Sequence, residues 1–157
     1  MSDLLKILFL CTGNSCRSQM AEGFARRLKG NLISSFSAGI QPKGLDPNAV
    51  EVMKEIGIDI SGHKSKTIEE LGSVEFDYVI TLCDSAQKNC PFFPAKHGII
   101  HHGFDDPIQL SSGEIGKQNI LKHYRRVRDE IRTYIQTMPT SLIGQKDSPM
   151  PKSQPLN

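Results

Sequence analysis

The sequence has no apolar run approaching the roughly 20 residues that would span a bilayer, so no membrane-crossing segment is expected. Its start lacks a charged stretch followed by a long apolar region and a small-residue cleavage site. No secretory leader is therefore read, and a cytoplasmic location follows by default. Neither sign of charge dominates: 19 Lys and Arg stand against 17 Asp and Glu, for a formal net charge of +2. Without a broad basic field, nucleic acid is not an expected partner. No internal repeat is visible. The Gly-x4-Gly-Lys-Ser/Thr phosphate loop is absent, and the histidines (His63, His97, His101, His102 and His123) form no HExxH pair. Cysteine is scarce, with Cys11, Cys16, Cys83 and Cys90 only. Their Cys-x4-Cys and Cys-x6-Cys spacings fit poorly with paired zinc ligands, so neither metal nor cofactor is expected. In a cytoplasmic chain, static disulfides are not expected either. Each cysteine is then catalytic or a small buried hydrophobe.

What is present reads as one domain of alternating strands and helices. The 157 residues suffice for a real core. Leu4 to Leu10 is nearly continuous apolar sequence, the pattern of a buried parallel strand. From Ser18, residues Met20, Ala21, Phe24, Ala25 and Leu28 share a helical face, and Gly30 is a plausible stop. Asn31 to Ala38 reads as a second strand. Asp46 caps a helix whose first residue is Pro47 and whose end is Gly57. Thr67-x-x-Glu70 has the form of a capping box for a short helix. Phe76 to Leu82 and Ile99 to His102 read as the third and fourth strands. A long helix runs from about Lys117 to Met138, with Ile120, Tyr124, Val127, Ile131 and Ile135 as its apolar stripe. Arg125, Arg126, Arg128 and Arg132 are read mostly as its solvated face. These elements predict an α/β fold with a four-stranded parallel sheet flanked by helices, spanning residues 1–138. The Pro- and Ser-rich residues 139–157 are expected to form a flexible C-terminal tail.

Ligands of parallel sheets gather beyond the C-terminal ends of strands. Cys11, Cys83 and Asp106 are all expected there. Between the first strand and first helix lies Cys11-Thr12-Gly13-Asn14-Ser15-Cys16-Arg17. The N–H groups of such a loop can curl into an anion-binding nest, with the positive end of the helix behind them. Gly13 permits backbone angles that other residues resist, and Asn14 tolerates the left-handed region. Arg17 supplies a planar fork for two oxygens. The same features favour a Cys11 thiolate below the ordinary ~8.5 of cysteine, and Ser18 is placed to donate to the sulfur. Cys16 is read as a loop-lining thiol with no redox role.

Cys11-x5-Arg17-Ser18, near the N-terminus and after the first strand, resembles the loop of low-molecular-weight protein tyrosine phosphatases. The Asp106-Pro107 pair resembles their general acid. The resemblance implies a phosphatase-like fold with an N-terminal phosphate-binding loop. With Cys83 and Cys90 in TLCDSAQKNC, and GFDDP after them, residues 4–138 most resemble the thioredoxin-coupled arsenate reductases of that fold. Gln19, where phosphatases commonly carry proline, and Ile108, where eukaryotic ones carry tyrosine, favour that branch. The resemblance implies a relay. Cys11 attacks arsenate while Asp106 protonates the leaving oxygen, Cys83 attacks Cys11, and Cys90 attacks Cys83. Thioredoxin then reduces the Cys83–Cys90 disulfide. Thr12, Gly13, Asn14, Ser15, Cys16 and Arg17 are the implied substrate-binding residues, and a monomer is expected. The alternative is a low-molecular-weight tyrosine phosphatase using Cys11, Arg17 and Asp106.

Two further expectations follow. A regular helix over residues 83–90 would hold the two Cα atoms about 10.5 Å apart, against the roughly 4.4–6.8 Å of a disulfide, so this segment must change shape on oxidation. Some reductases of this family hold potassium with an Asn, a Glu, a Ser and a later Thr-Ser-Asp. Asn14, Glu22 and Ser37 match the first three, but Lys64-Ser65-Lys66 replaces the last. An ammonium group, from Lys64 or Lys66, is expected to stand in for the cation, with Glu22 as one anchor.

Overall fold

A computed structural model describes residues 4–84 and 95–143. The chain runs β1 (Leu5–Cys11), α1 (Arg17–Lys29), β2 (Ile33–Gly39), α2 (Pro47–Glu55), a 3₁₀ turn (Glu69–Leu71), β3 (Phe76–Thr81), β4 (Ala95–His101), α3 (Pro107–Leu110) and α4 (Lys117–Gln136). The strands form one sheet in the order β2-β1-β3-β4, and every pairing is parallel. The expected α/β sheet is borne out.

Alternation along β1 divides the core into two layers, because successive side chains of a strand leave opposite faces. Ile7 and Phe9 join Met20, Phe24, Met53, Val127 and Ile131 beneath the helices. Leu8 and Leu10 join Ala38, Phe76 and Val79 on the other face, and the sulfur-bearing residues Cys11 and Cys83 belong to that second layer. β1 lies between β2 and β3, so the C-terminal end of this central strand is where the loop after Cys11 emerges.

Local signals were reliable where a side chain satisfies a helix end. Asp46 accepts from the Asn48 N–H at 2.9 Å, and Pro47 is the first residue of α2. Thr67 and Glu70 bond reciprocally, Thr67 N to Glu70 Oε2 at 2.9 Å and Glu70 N to Thr67 Oγ1 at 3.2 Å. The helix α3 was not expected, yet Asp106-Pro107-Ile108 repeats the Asp46 signal: Asp106 Oδ1 accepts from Ile108 N at 3.0 Å. The fourth strand begins at Ala95, four residues before its expected start, because Lys96 and His97 are exposed and carry no apolar pattern.

Arg128 is a correction to the solvated-face reading. It is buried against α2, where its guanidinium donates to Val52 O at 3.0 Å and to Glu55 Oε1 at 2.9 Å. Leu142, beyond the expected domain end at 138, is fully buried in the core layer under the helices. Among the described residues no helix is long and apolar enough to cross a membrane.

Candidate active site

The loop after β1 is shaped by where its carbonyls go. Ile40 N donates to Cys11 O at 3.3 Å, Gln41 N to Thr12 O at 2.8 Å, Lys43 N to Gly13 O at 2.9 Å, and Asp46 N to Ser15 O at 2.9 Å. Ser65 Oγ adds a second bond to Gly13 O at 2.8 Å. These four carbonyls are thus turned toward the following segment, and that of Asn14 toward Gln19 on α1. The N–H groups of Thr12 to Cys16 donate in none of the hydrogen bonds among the described residues. N–H groups left unengaged in such a loop can receive an anion.

The conformational burden of this turn falls on Asn14, not on Gly13. Asn14 has φ of 48°, the one positive value among described non-glycine residues, whereas Gly13 lies outside the left-handed region. An asparagine tolerates this because its amide hydrogen-bonds locally. Asn14 Nδ2 donates to Ser18 Oγ at 2.8 Å, and Asn14 Oδ1 accepts from Lys66 N at 2.9 Å. The bond that Ser18 makes is therefore with Asn14, which leaves the hydroxyl proton of Ser18 for another acceptor. The glycine that the turn does require is Gly39, at the end of β2. A Cβ there would stand 2.9 Å from Asn14 Cβ, Asn14 N and Thr12 O.

The loop lines a cavity of about 720 Å³ shared with Lys43, Cys83, Asp84, Phe104 and Asp106. Arg17 is fixed across its floor. One guanidinium nitrogen donates to Phe104 O at 2.9 Å, and the other lies 3.7 Å from Asp106 Oδ2. Burial opposes the charge on Arg17, but Cys11, Asp106 and Cys83 more than offset it, and its pKa is raised. Asp106 is held by its cap on α3, so its second oxygen is the one directed toward Arg17.

Cys11 and Cys83 meet at the edge of this cavity. Both are buried cysteines, and they are hydrogen-bond partners. Thr12 Oγ1 lies 3.2 Å from Cys83 Sγ. The contact with Cys83 and then burial push the Cys11 thiol up, against the pull of Arg17. This corrects the expectation of a simply depressed Cys11. The loop offers positive potential, but the neighbouring thiol shares the proton, and the pair holds its last proton tightly. Cys16 is also a buried thiol, pushed up first by burial and then by the charge of Asp46. Cys90 and the expected shape change of residues 83–90 lie outside the described residues.

Comparison with known proteins places this geometry. The sequence model of the low molecular weight phosphotyrosine protein phosphatases matches residues 6–147. The chain belongs to this family. A relative from Staphylococcus epidermidis, named arsenate reductase 2, is 45% identical over 138 residues, covering 88% of this chain and 98% of the relative. A solved structure described as an arsenate reductase in the phosphate binding state has 32% identity and a TM-score of 0.69, covering 86% of this chain and 96% of the other. A thioredoxin-dependent arsenate reductase of Corynebacterium glutamicum has 27% identity and a TM-score of 0.57, covering 88% of this chain and 65% of that one.

In this member of the phosphotyrosine phosphatase family, the loop is braced by residues whose part the sequence did not reveal. Gln19 is fully buried, and its Nε2 donates to Asn14 O and Oδ1, both at 3.0 Å, and to Lys64 O at 3.1 Å. His63 Nδ1 lies 2.9 Å from Gln19 Oε1, and His63 Nε2 lies 2.8 Å from Arg26. The amide oxygen can only accept and the guanidinium can only donate, which fixes the His63 proton on Nδ1. The polar residue inside the buried first turn of α1 was the available signal. Lys43 was also missed: its alkyl chain lies along Gly13, with carbons 3.4–3.5 Å from a Cβ built there, and it lines the cavity.

Of the two lysines, Lys66 is the one whose ammonium lies near Glu22. Its Nζ lies 3.8 Å from Glu22 Oε1, 3.5 Å from Ser37 Oγ and 3.1 Å from Lys64 O. Lys64 instead reaches Glu70 at 3.9 Å on the surface. Glu22 is buried, and it also accepts from Ser37 Oγ and Arg26, both at 2.5 Å. Burial pulls the Lys66 pKa down, with Glu22 opposing. His101 Nδ1 lies 2.8 Å from Thr81 Oγ1, and His101 Nε2 lies 3.3 Å from Asp84.

Proposed function

We propose that this protein reduces arsenate to arsenite through Cys11, Cys83 and Cys90, and that thioredoxin supplies the electrons. The observation that carries this reading is the contact of Cys11 with Cys83 beside an oxyanion-shaped loop. A phosphatase needs one nucleophile in that place. Two thiols in contact form a two-electron donor, which is what reduction of As(V) to As(III) consumes. The arsenate reductase names of the relatives, one of them thioredoxin-dependent, favour the same reading. The alternative, a low-molecular-weight tyrosine phosphatase using Cys11, Arg17 and Asp106, gives Cys83 no task.

In this mechanism the N–H groups of Thr12 to Cys16 and the fork of Arg17 hold the arsenate oxygens. Arg17 and the positive end of α1 are what favour proton loss from the thiol pair. The Cys11 thiolate attacks arsenic. An As–O bond breaks, and the leaving oxygen takes a proton from Asp106 and departs as water. Thr12 Oγ1, 3.2 Å from Cys83 Sγ, donates to that sulfur once Cys83 has lost its proton, which stabilises it as the second thiolate. Cys83 attacks the Cys11 sulfur, and an S–S bond forms as the S–As bond breaks. The electron pair stays on arsenic, which leaves as arsenite. Cys90 then attacks Cys83, Cys11 leaves as thiolate, and the Cys83–Cys90 disulfide passes to the dithiol of thioredoxin by exchange. Lys66 takes the place of a bound cation beneath the loop, holding Glu22 and Ser37.

The test is arsenate turnover with thioredoxin, thioredoxin reductase and NADPH, for the wild type and Cys90→Ser. Steady turnover of the wild type and a single round or less for the variant are expected. Absence of wild-type turnover with every thiol donor would remove the reading. Turnover with a different thiol donor alone would change the partner.

A further inference from the structure

Asp46 stands where three elements meet. Its N–H donates to Ser15 O at 2.9 Å, on the oxyanion loop. Its Oδ1 caps α2 through Asn48 N at 2.9 Å. Its Oδ2 accepts from Tyr124 OH at 2.7 Å, from a residue 78 positions away on α4. Tyr124 is 2% exposed. Of the backbone bonds that turn the loop carbonyls outward, three come from Ile40, Gln41 and Lys43, and the stretch 41–44 is exposed. The fourth, from Asp46, is the one backed by a core side chain. A carboxylate engaged through both oxygens in different directions cannot rotate without giving up one bond. The direction of the Asp46 N–H is thereby fixed, and with it the Ser15 carbonyl.

We propose that Tyr124 is a positioning residue for the oxyanion loop, acting through Asp46 to hold Ser15 and the residues that follow it. The proposal rests on the reading of this loop as the arsenate site and adds a part played from α4. Burial and the Asp46 contact push the Tyr124 hydroxyl well up, so it remains a donor at any pH at which the enzyme works. Burial, and after it the same carboxylate, push the Cys16 thiol up.

Tyr124→Phe keeps the ring in the core and removes one donor. The dissociation constant for inorganic phosphate, measured by calorimetry, is expected to rise about 3- to 10-fold, the effect of one hydrogen bond on the alignment of the loop. KM for arsenate should rise by a similar factor, while kcat at saturating arsenate stays within about twofold, because no reacting group is touched. Asp46→Ser keeps a capping oxygen for α2 but is too short to reach Tyr124, and should raise the phosphate constant equally. It serves as the second variant if Tyr124→Phe folds poorly. A fall in thermal stability with unchanged phosphate affinity in either variant would make the contact merely structural and overturn the proposal. Phosphate binding needs no reduction, so a wild type that binds phosphate but does not turn over arsenate defeats the reductase reading and leaves the affinity series to judge Tyr124.

Discussion

Gly39→Ala probes the loop from behind. The added methyl would stand 2.9 Å from Asn14 Cβ, Asn14 N and Thr12 O. Each of these is about half an ångström inside ordinary contact, and two of the three are backbone atoms that cannot rotate away. Relief requires moving the loop off β2, against the bonds that Asn14 makes with Ser18, Gln19 and Lys66. Overpacking of a close-packed site costs about 1–3 kcal/mol. For a chain of this size that is about 2–4 °C of Tm per kcal/mol. The displaced loop carries the anion-binding N–H groups, so phosphate affinity should fall at least about tenfold, the consequence of ~1.4 kcal/mol of misalignment. Gly13→Ala is the control. The nearest atoms to its Cβ are the flexible carbons of Lys43 at 3.4 Å and beyond, and its φ is not positive. It should cost little and gain slightly from a stiffer unfolded chain. Thermal melts and phosphate calorimetry on both variants decide the matter. If Gly39→Ala melts and binds like the wild type, or if Gly13→Ala is the more damaging of the two, the assignment of the close approach to Gly39 is wrong.

Three other outcomes are expected. Asp106→Asn retains the cap on α3 but cannot give up a proton, so kcat should fall about 10²–10⁴-fold with phosphate affinity nearly unchanged; an unchanged kcat would exclude Asp106 as the acid. Lys66→Met leaves the buried Glu22 without its ammonium neighbour and should cost about 1–3 kcal/mol, partly restored by potassium chloride but not by sodium chloride. A variant indifferent to potassium would refute the stand-in role. Burial lowers the His63 pKa, and its neutral ring accepts from Arg26 while donating to Gln19. The unfolded chain then binds more protons than the folded one below about pH 6.5, the unperturbed histidine value. Stability from this group is full above that pH and is lost as the pH falls toward the depressed folded value. Urea melts of wild type and His63→Gln should differ in slope across that window. Equal slopes would show that the ring is not held neutral by the fold.

Short-range signals in the chain carried much of the fold. The apolar run of β1, the stripe of α4 and the Asp-Pro cap of α2 are local patterns, and each satisfies its own backbone or buries its own face. They also fixed which reactive residues stand beyond strand ends, because the end of a strand is a position in sequence. Polar residues whose partners are distant could not be read in the same way. Arg128 looks like one more charge on an exposed face until α2 supplies Val52 O and Glu55. Gln19 looks like a surface polar residue until the loop and Lys64 surround it. Cys11 alone reads as an activated thiol, and only the parallel pairing of β1 with β3 brings Cys83 against it and changes how its proton is held. The sequence by itself determined that a thiol and an arginine would share one oxyanion loop, since both lie on it. Tertiary structure decided which residues keep that loop open, because hydrogen-bond partners and steric contacts depend on distance in space.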